Sequence, residues 1–332
     1  MTAPAARTPK ETTVSAPGKL FLIGEYGVLH GQHAVVAAVD RRVTGRFVPG
    51  AAPATPLVKE VVDAVRAYLL NDGGTPLEGA PALDSADLTS GTGKLGLGSS
   101  AAVAAAGVGA MLEAAGCDIQ YTRALAFALA DNAHRAAQGG RGSGADVAAA
   151  IYGGVVCYAR RNGTVDVQPL ALPDAVQLIV FSTGTPSSTV DHVRALEAYA
   201  AKDPAASAER LGAIGALATD FISACVNDDA RSVVDTAARA NVALSALGRD
   251  IGLPIVTPAL AEAARLAEEL GGAAKPSGAG GGDVGIAFLT DRGAAETFRQ
   301  RAPHLGLEIL SIRTGASGLR REPSDLERNH GV

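Results

Sequence analysis

Residues 94–107 read KLGLGSSAAVAAAG, a glycine-rich turn with two hydroxyls that opens directly into an alanine-rich stretch. The stretch predicts a helix over 99–115. The first N–H groups of such a helix have no partner within it, and the peptide dipoles put positive potential at the same end. With the hydroxyls of Ser99 and Ser100 they form a seat for phosphate, and Gly96 and Gly98 let the backbone close on an anion. An ordinary capped helix start is the alternative reading of this segment taken alone. Gly91, Gly93 and Gly96 also fit G-x-G-x-x-G, and Gly96, Gly98 and Ala101 fit its alanine form. A dinucleotide site needs a strand just before the glycines. The preceding DSADLTSGT is polar and strand-poor, which argues against one. A Walker A loop is absent, because Gly93-Lys94 is followed by Leu95.

Two more glycine-rich segments flank this one at long range. SAPGKLFLIGEYGVLHG (15–31) brings Lys19 into an apolar strand just after Pro17-Gly18. Taken alone, that lysine also reads as a solvated strand end. KPSGAGGGDVGIAF (275–288) places Gly278, Gly280, Gly281 and Gly282 between a helix and a strand. Ordering so many glycines is entropically unfavourable unless a backbone must press against a ligand or another loop.

The bulk properties narrow the field. The chain has 332 residues and a formal net charge of −5, with no run of Lys or Arg to follow a nucleic-acid backbone. Cys117, Cys157 and Cys225 are far apart and include no C-x-x-C. They read as reduced core thiols of a cytoplasmic protein, not as a disulfide frame or a zinc site. The N-terminal MTAPAARTPKETT is polar and lacks an apolar core, so it reads as a disordered tail and not as a signal peptide. The most apolar stretch, 100–112, is too short to span a bilayer.

Strands are expected over 19–24, 34–39, 175–183, 284–290 and 307–313. Helices are expected over 58–70, 121–138, 187–201, 206–225, 229–247 and 294–303. A further helix, 258–271, starts from a Thr257 cap and stops at Gly271. VPGAAPATP (48–56) reads as a loop. Strands and helices mix without strict βαβ alternation, which points to two α+β domains with a boundary near residues 160–175.

Taken in order, the three glycine-rich segments resemble the GHMP kinases, the family of galactokinase and of homoserine, mevalonate and phosphomevalonate kinases. The resemblance runs from about residue 14 to residue 320. It implies a ribosomal-protein-like N-terminal domain over 14–170 and a ferredoxin-like C-terminal domain over 171–322, with tails at 1–13 and 323–332. ATP would lie between the domains, its phosphates on Gly96, Leu97, Gly98, Ser99, Ser100 and Ala101. Within the family the segments look most like the bacterial phosphomevalonate kinase branch. Lys94 ahead of the glycines fits it, and so does Asp283, where mevalonate kinases usually carry another glycine. AHRAAQGGRGSGADVAAAIYGG (133–154) and STGTPSST (182–189) fit as well. His134 falls where a mevalonate kinase has a magnesium-binding glutamate, and G-S-G-A-D is one residue longer than that enzyme's P-S-G-V-D.

The implied reaction moves the ATP γ-phosphate to 5-phosphomevalonate, giving 5-diphosphomevalonate and ADP, with Mg²⁺ as cofactor. A mevalonate kinase, a kinase for another small acid and a non-catalytic sensor on the same fold are the alternatives. By resemblance Lys19 and Asp146 are the catalytic pair, Lys94 reaches the phosphates, and Ser100 is the candidate Mg²⁺ ligand, with Ser99 second. Arg141, Ser143, Gly144, Ser187, Ser188 and His192 are candidates for the acceptor's phosphate and carboxylate. Ser277, Gly278, Ala279 and Gly280 would meet the substrate through the third loop, while Glu25 and Tyr26 position the first motif. No nucleic-acid or membrane partner is expected, and the assembly is expected to be a monomer or homodimer. A phosphate acceptor is already largely dianionic at neutral pH, its second pKa being about 6. Asp146 is therefore expected to hold Lys19 and the loop more than to act as a base.

Overall fold

The computed structural model describes residues 12–90 and 93–323, without the side chains of Ser90 and Lys94. The strands are β1 Thr13–Ile23, β2 Ala34–Pro49, β3 Gly79–Asp84, β4 Thr89–Ser90, β5 Gly93–Lys94, β6 Val155–Arg161, β7 Thr164–Leu170, β8 Gln177–Ser182, β9 Ala273–Pro276, β10 Val284–Leu289, β11 Glu308–Leu310 and β12 Arg320–Arg321. The helices are α1 Pro56–Asn71, α2 Ser99–Ala114, α3 Arg123–Ala137, α4 Ala145–Tyr152, α5 Thr189–Lys202, α6 Pro204–Val226, α7 Ala230–Ile251, α8 Pro258–Glu269 and α9 Arg292–Arg301.

One antiparallel sheet runs β12-β1-β2-β6-β7, with β3 also on β2; a second runs β11-β8-β10-β9. The α+β class expected from the sequence is present. Helix α2 lies against β1 and β2 and is buried along nearly its whole length, so it has no polar face and owes its position to packing. A core of Leu20, Leu22, Val36, Ala105 and Met111 continues through Phe221 of α6 to Ile286 and Phe288 of β10. That continuity joins the two sheets. On the other face of the second sheet, Phe181, Leu260, Leu266 and Phe298 form a separate core.

Local chemistry sets several boundaries. Thr257 accepts from Leu260 N–H and caps α8 as expected, and Gly271 follows the helix at φ +75°. Segment 48–56 is shorter as a loop than expected, because β2 runs to Pro49 and Pro56 opens α1 behind the Thr55 cap. The hairpin β6–β7 was not anticipated, although it turns on Asn162-Gly163, both at positive φ, between two paired strands. Helix α4 and strands β3 and β9 were also not anticipated; they are short. The cysteines form no disulfide, and Cys225 alone is fully buried, its thiol pushed up to about 12 by burial. Cys117 is half-buried and packs against the main core, whereas Cys157 is half-buried and does not belong to it, which corrects the core assignment for Cys157. Among the described residues no helix is long and apolar enough to cross a membrane.

Candidate active site

Strand β1 pairs with β2 through two register shifts, at Pro17/Lys19 and at Phe21/Ile23. Bulges re-aim side chains, and these two bracket Lys19. Its backbone N–H donates to Leu97 O at 2.8 Å, tying the strand to the phosphate loop. Its Nζ lies 3.5 Å from Gly96 O and 5.3 Å from the centre of the Phe21 ring. The stem crosses Gly98 closely: a Cβ there would stand 2.7 Å from Lys19 Cγ, and Gly98 has φ +73°. Only glycine meets both demands. Burial holds the Lys19 ammonium below its ordinary pKa, against the charges of Asp146, Glu25 and Asp283, which raise it.

Gly98 is the N-cap of α2 and offers no side-chain cap, so the helix start is left open as a phosphate seat requires. Neither hydroxyl closes it. Ser100 Oγ instead lies 3.0 Å from His134 Nε2, which is also 3.0 Å from Gln138 Nε2 and 4.0 Å from Asp146 Oδ2. Ser100, Asp146 and His134 thus meet at one corner. Asp146 sits in the first turn of α4 and accepts from Val147 N–H at 3.0 Å.

The loop before α4 rests on a buried polar network that sequence reasoning missed. Arg160 Nη2 donates to Asp131 Oδ2 at 2.5 Å, and its Nε donates to the Tyr158 hydroxyl at 3.1 Å. Tyr158 in turn donates to Ser143 O at 2.5 Å. Gly144, at φ +87°, lies directly on this network; a Cβ there would fall 2.8 Å from both Arg160 Nη2 and Tyr158 Oη. The available signal was two polar residues at i and i+2 on one strand face, beside an aspartate in an alanine-rich helix. Arg141, on the same loop, is exposed, and its Nε donates to Glu197 Oε1 of α5 at 3.0 Å.

The third glycine loop closes the site from the other sheet. Ser277 Oγ accepts from Phe21 N–H at 2.9 Å, and Tyr26 donates its hydroxyl to Ala279 O. Gly278 faces Lys19 Nζ, while Gly280 packs on Ile255. Asp283 packs against Gly96, accepts from Ser187 N–H at 3.2 Å and adopts φ +50°. Burial raises its pKa, while the Ser187 N–H and the Lys19 charge pull it down. Ser188 Oγ caps α5 through Asp191 N–H. His192 is buried, with Nδ1 3.0 Å from Ser188 O, and both its Nε2 and Ser187 Oγ are buried without a partner, facing Gly281. Lys94 is the one candidate whose side chain lies outside the described residues.

The N-terminal domain model of the GHMP kinases matches residues 57–154, and the C-terminal model matches 222–306. A phosphomevalonate kinase of Streptomyces sp. (strain CL190) is 31% identical over 367 residues, covering 92% of this chain and 97% of that protein. The chain belongs to the GHMP kinase family and has its two-domain fold. Among solved structures, a Lin0012 protein from Listeria innocua gives a TM-score of 0.85 at 26% identity, covering 95% of this chain and 100% of that one. Streptococcus pneumoniae phosphomevalonate kinase in complex with phosphomevalonate and AMPPNP gives 0.80 at 21% identity, covering 91% and 99%.

Proposed function

We propose that the chain is an ATP-dependent phosphomevalonate kinase that transfers the γ-phosphate of ATP to 5-phosphomevalonate. The observation that carries this reading is the seat of Lys19: a buried cation between the open start of α2 and the third glycine loop, with no contact carboxylate on its ammonium among the described residues. The Streptomyces relative supports the choice of acceptor.

The chemistry follows from charge. Donor and acceptor are both polyanions, so positioning and neutralisation dominate over proton transfer. The α2 N-terminus offers N–H groups to the ATP phosphates, and Lys19 stands where donor and acceptor oxygens would meet. Asp146 lacks a hydrogen bond to Lys19 and acts on it through space, its charge raising the Lys19 pKa against the burial that lowers it. The acceptor side is closed by Arg141, Ser143 and Gly144 from one domain and by Ser187, His192 and residues 277–280 from the other. We place the division between the domains at 170/171, with β12 returning to the first sheet.

Among the described residues no group of three or more His, Cys, Asp or Glu side chains could hold a metal. Mg²⁺ suits such a site, because it keeps several waters and takes substrate phosphates plus one or two protein oxygens. Ser100 Oγ would be that protein ligand, steered by His134. Bound there, the ion would neutralise phosphate charge.

Coupled ADP release with Mg²⁺-ATP, offering 5-phosphomevalonate and mevalonate in parallel, tests the proposal. Strong preference for 5-phosphomevalonate is expected. Preference for mevalonate would reassign the acceptor, and no release with either would favour a sensor or another acceptor.

A further inference from the structure

The third glycine loop is held within its own half of the molecule mainly by backbone hydrogen bonds, Gly281 N–H to Ile255 O at 2.8 Å and Asp283 N–H to Thr185 O at 2.6 Å. Gly278, Gly280, Gly281 and Gly282 all lie at positive φ and carry no side chain to anchor them. Its strand, β9, is the outer strand of its sheet and pairs with β10. The position of the loop relative to Lys19 therefore also depends on what crosses from the first sheet.

Beside the packing of Asp283 on Gly96 and of Gly278 on Lys19, three polar contacts cross from a six-residue stretch of the first motif. Phe21 N–H donates to Ser277 Oγ, Tyr26 donates to Ala279 O, and Glu25 forms an ion pair with Lys275. The last is unusual. Lys275 is 0% exposed and Glu25 3% exposed. Lys275 also donates to Pro276 O at 2.6 Å, so its donors are directed into the strand that starts the loop. Tyr26 holds its place at φ +64°, a strained value for a tyrosine.

A buried ion pair seldom stabilises more than a well-packed apolar pair of similar size, because both charges must leave water. Stability alone gives no reason for this one. What charges add is register: an apolar contact tolerates sliding, whereas an ammonium and a carboxylate in a dry interior meet in one arrangement. We propose that Glu25 and Lys275 are positioning residues for the transfer, a buried latch that with Tyr26 sets the third glycine loop in register with Lys19. The proposal rests on the kinase reading above only for its kinetic part.

The test uses Lys275→Met, Glu25→Gln and the double variant, with Tyr26→Phe as the milder probe. Each single variant leaves a buried charge alone and is expected to lower the melting temperature. The double variant removes both charges and is expected to melt close to the unmodified protein. The latch predicts that the double variant still has a defect at the acceptor end. Its kcat falls about 10²-fold, as a misplacement of order 1 Å produces. Its KM for the acceptor rises, while its Kd for ATP stays within about twofold. Amide hydrogen exchange supplies a readout independent of turnover. Residues 277–283 should exchange at least tenfold faster in the double variant, with the start of α2 unchanged. Tyr26→Phe should show the same pattern at smaller amplitude. Native kinetics and loop exchange in the double variant would overturn the latch, as would ATP affinity lost in parallel with acceptor affinity. Absence of turnover in the unmodified protein would instead count against the kinase reading, and the exchange experiment would still decide the latch.

Discussion

Two buried lysines lie where the first motif meets the third glycine loop, and they are treated differently. Lys275 is in contact with a carboxylate and a backbone carbonyl, so its charge is fully used within the protein. Lys19 reaches one carbonyl at 3.5 Å, and the carboxylates that favour its charge act from a distance. Burial lowers the pKa of both. The difference separates a cation that holds structure from one that is kept available. A functional charge in a dry site needs enough negative potential to remain protonated, but no contact partner that an incoming phosphate would have to displace.

The sharpest way to break this comparison is Lys19→Met. If the charge is held for the reaction at the expense of the fold, kcat should fall by about 10²–10³-fold or more, the usual effect of losing one preorganised charge-stabilising group. The melting temperature should stay level or rise, because a buried charge held by only one long hydrogen bond to a carbonyl has been removed. A drop of several degrees would show that Lys19 is structural after all. The pH profile sharpens the same point. The protonated form is required, so kcat/KM should fall as pH rises through a pKa that burial places below the ordinary lysine value of 10.5. Asp146→Asn removes the largest of the charges supporting that proton, so the alkaline limb should move to lower pH. In the same window the unfolded chain binds more protons than the native one, so the ligand-free protein should gain stability as pH rises toward 10.5.

The sequence carried the first of these lysines and not the second. Gly96 to Ser100 and the third loop lie in segments whose composition is unusual enough to be read directly, Lys19 and Asp146 were assigned through the family resemblance those segments carry, and the structure brings them together. Lys275 lay inside a quoted motif, but nothing in a linear sequence says that its partner is Glu25, 250 residues away. The Asp131–Arg160–Tyr158 network was hidden for the same reason: each residue is unremarkable alone, and the meaning is in the fold. The β6–β7 hairpin is a different kind of miss, because Asn162-Gly163 between alternating strands was a local signal. The long helices were legible from periodicity, whereas α4 and β9 are too short for periodicity to speak.

The Arg160–Asp131 pair extends the comparison to a third cation, again held in contact and nearly buried on its acidic side. Arg160→Met leaves the Asp131 carboxylate alone in the interior and should destabilise the protein by roughly 3 kcal/mol in a denaturant titration. It should also loosen Gly144 and so lower kcat through Asp146. Asp131→Asn in the same background should recover much of the stability, since the stranded charge is then gone. Failure of that recovery would mean that the network acts through hydrogen-bond geometry and not through charge.

Arg141 is the opposite case, a cation whose partner lies at the surface. Its contact with Glu197 is half-exposed on both sides and spans from the loop before α4 to α5. Exposed pairs of this kind contribute about 0–1 kcal/mol, so Arg141→Ala and Glu197→Ala should each leave the unfolding midpoint nearly unchanged. If Arg141 is an available cation like Lys19, the two substitutions should part in the kinetics. Arg141→Ala should raise the acceptor KM about tenfold, in line with the loss of one charge-assisted hydrogen bond of about 1.5 kcal/mol, with the ATP KM unaltered. Glu197→Ala should leave the acceptor KM level or slightly lower, because the carboxylate competes with the acceptor for the same guanidinium. If both substitutions raise the acceptor KM equally, Arg141 belongs with Lys275 as a cation whose role is to hold its partner.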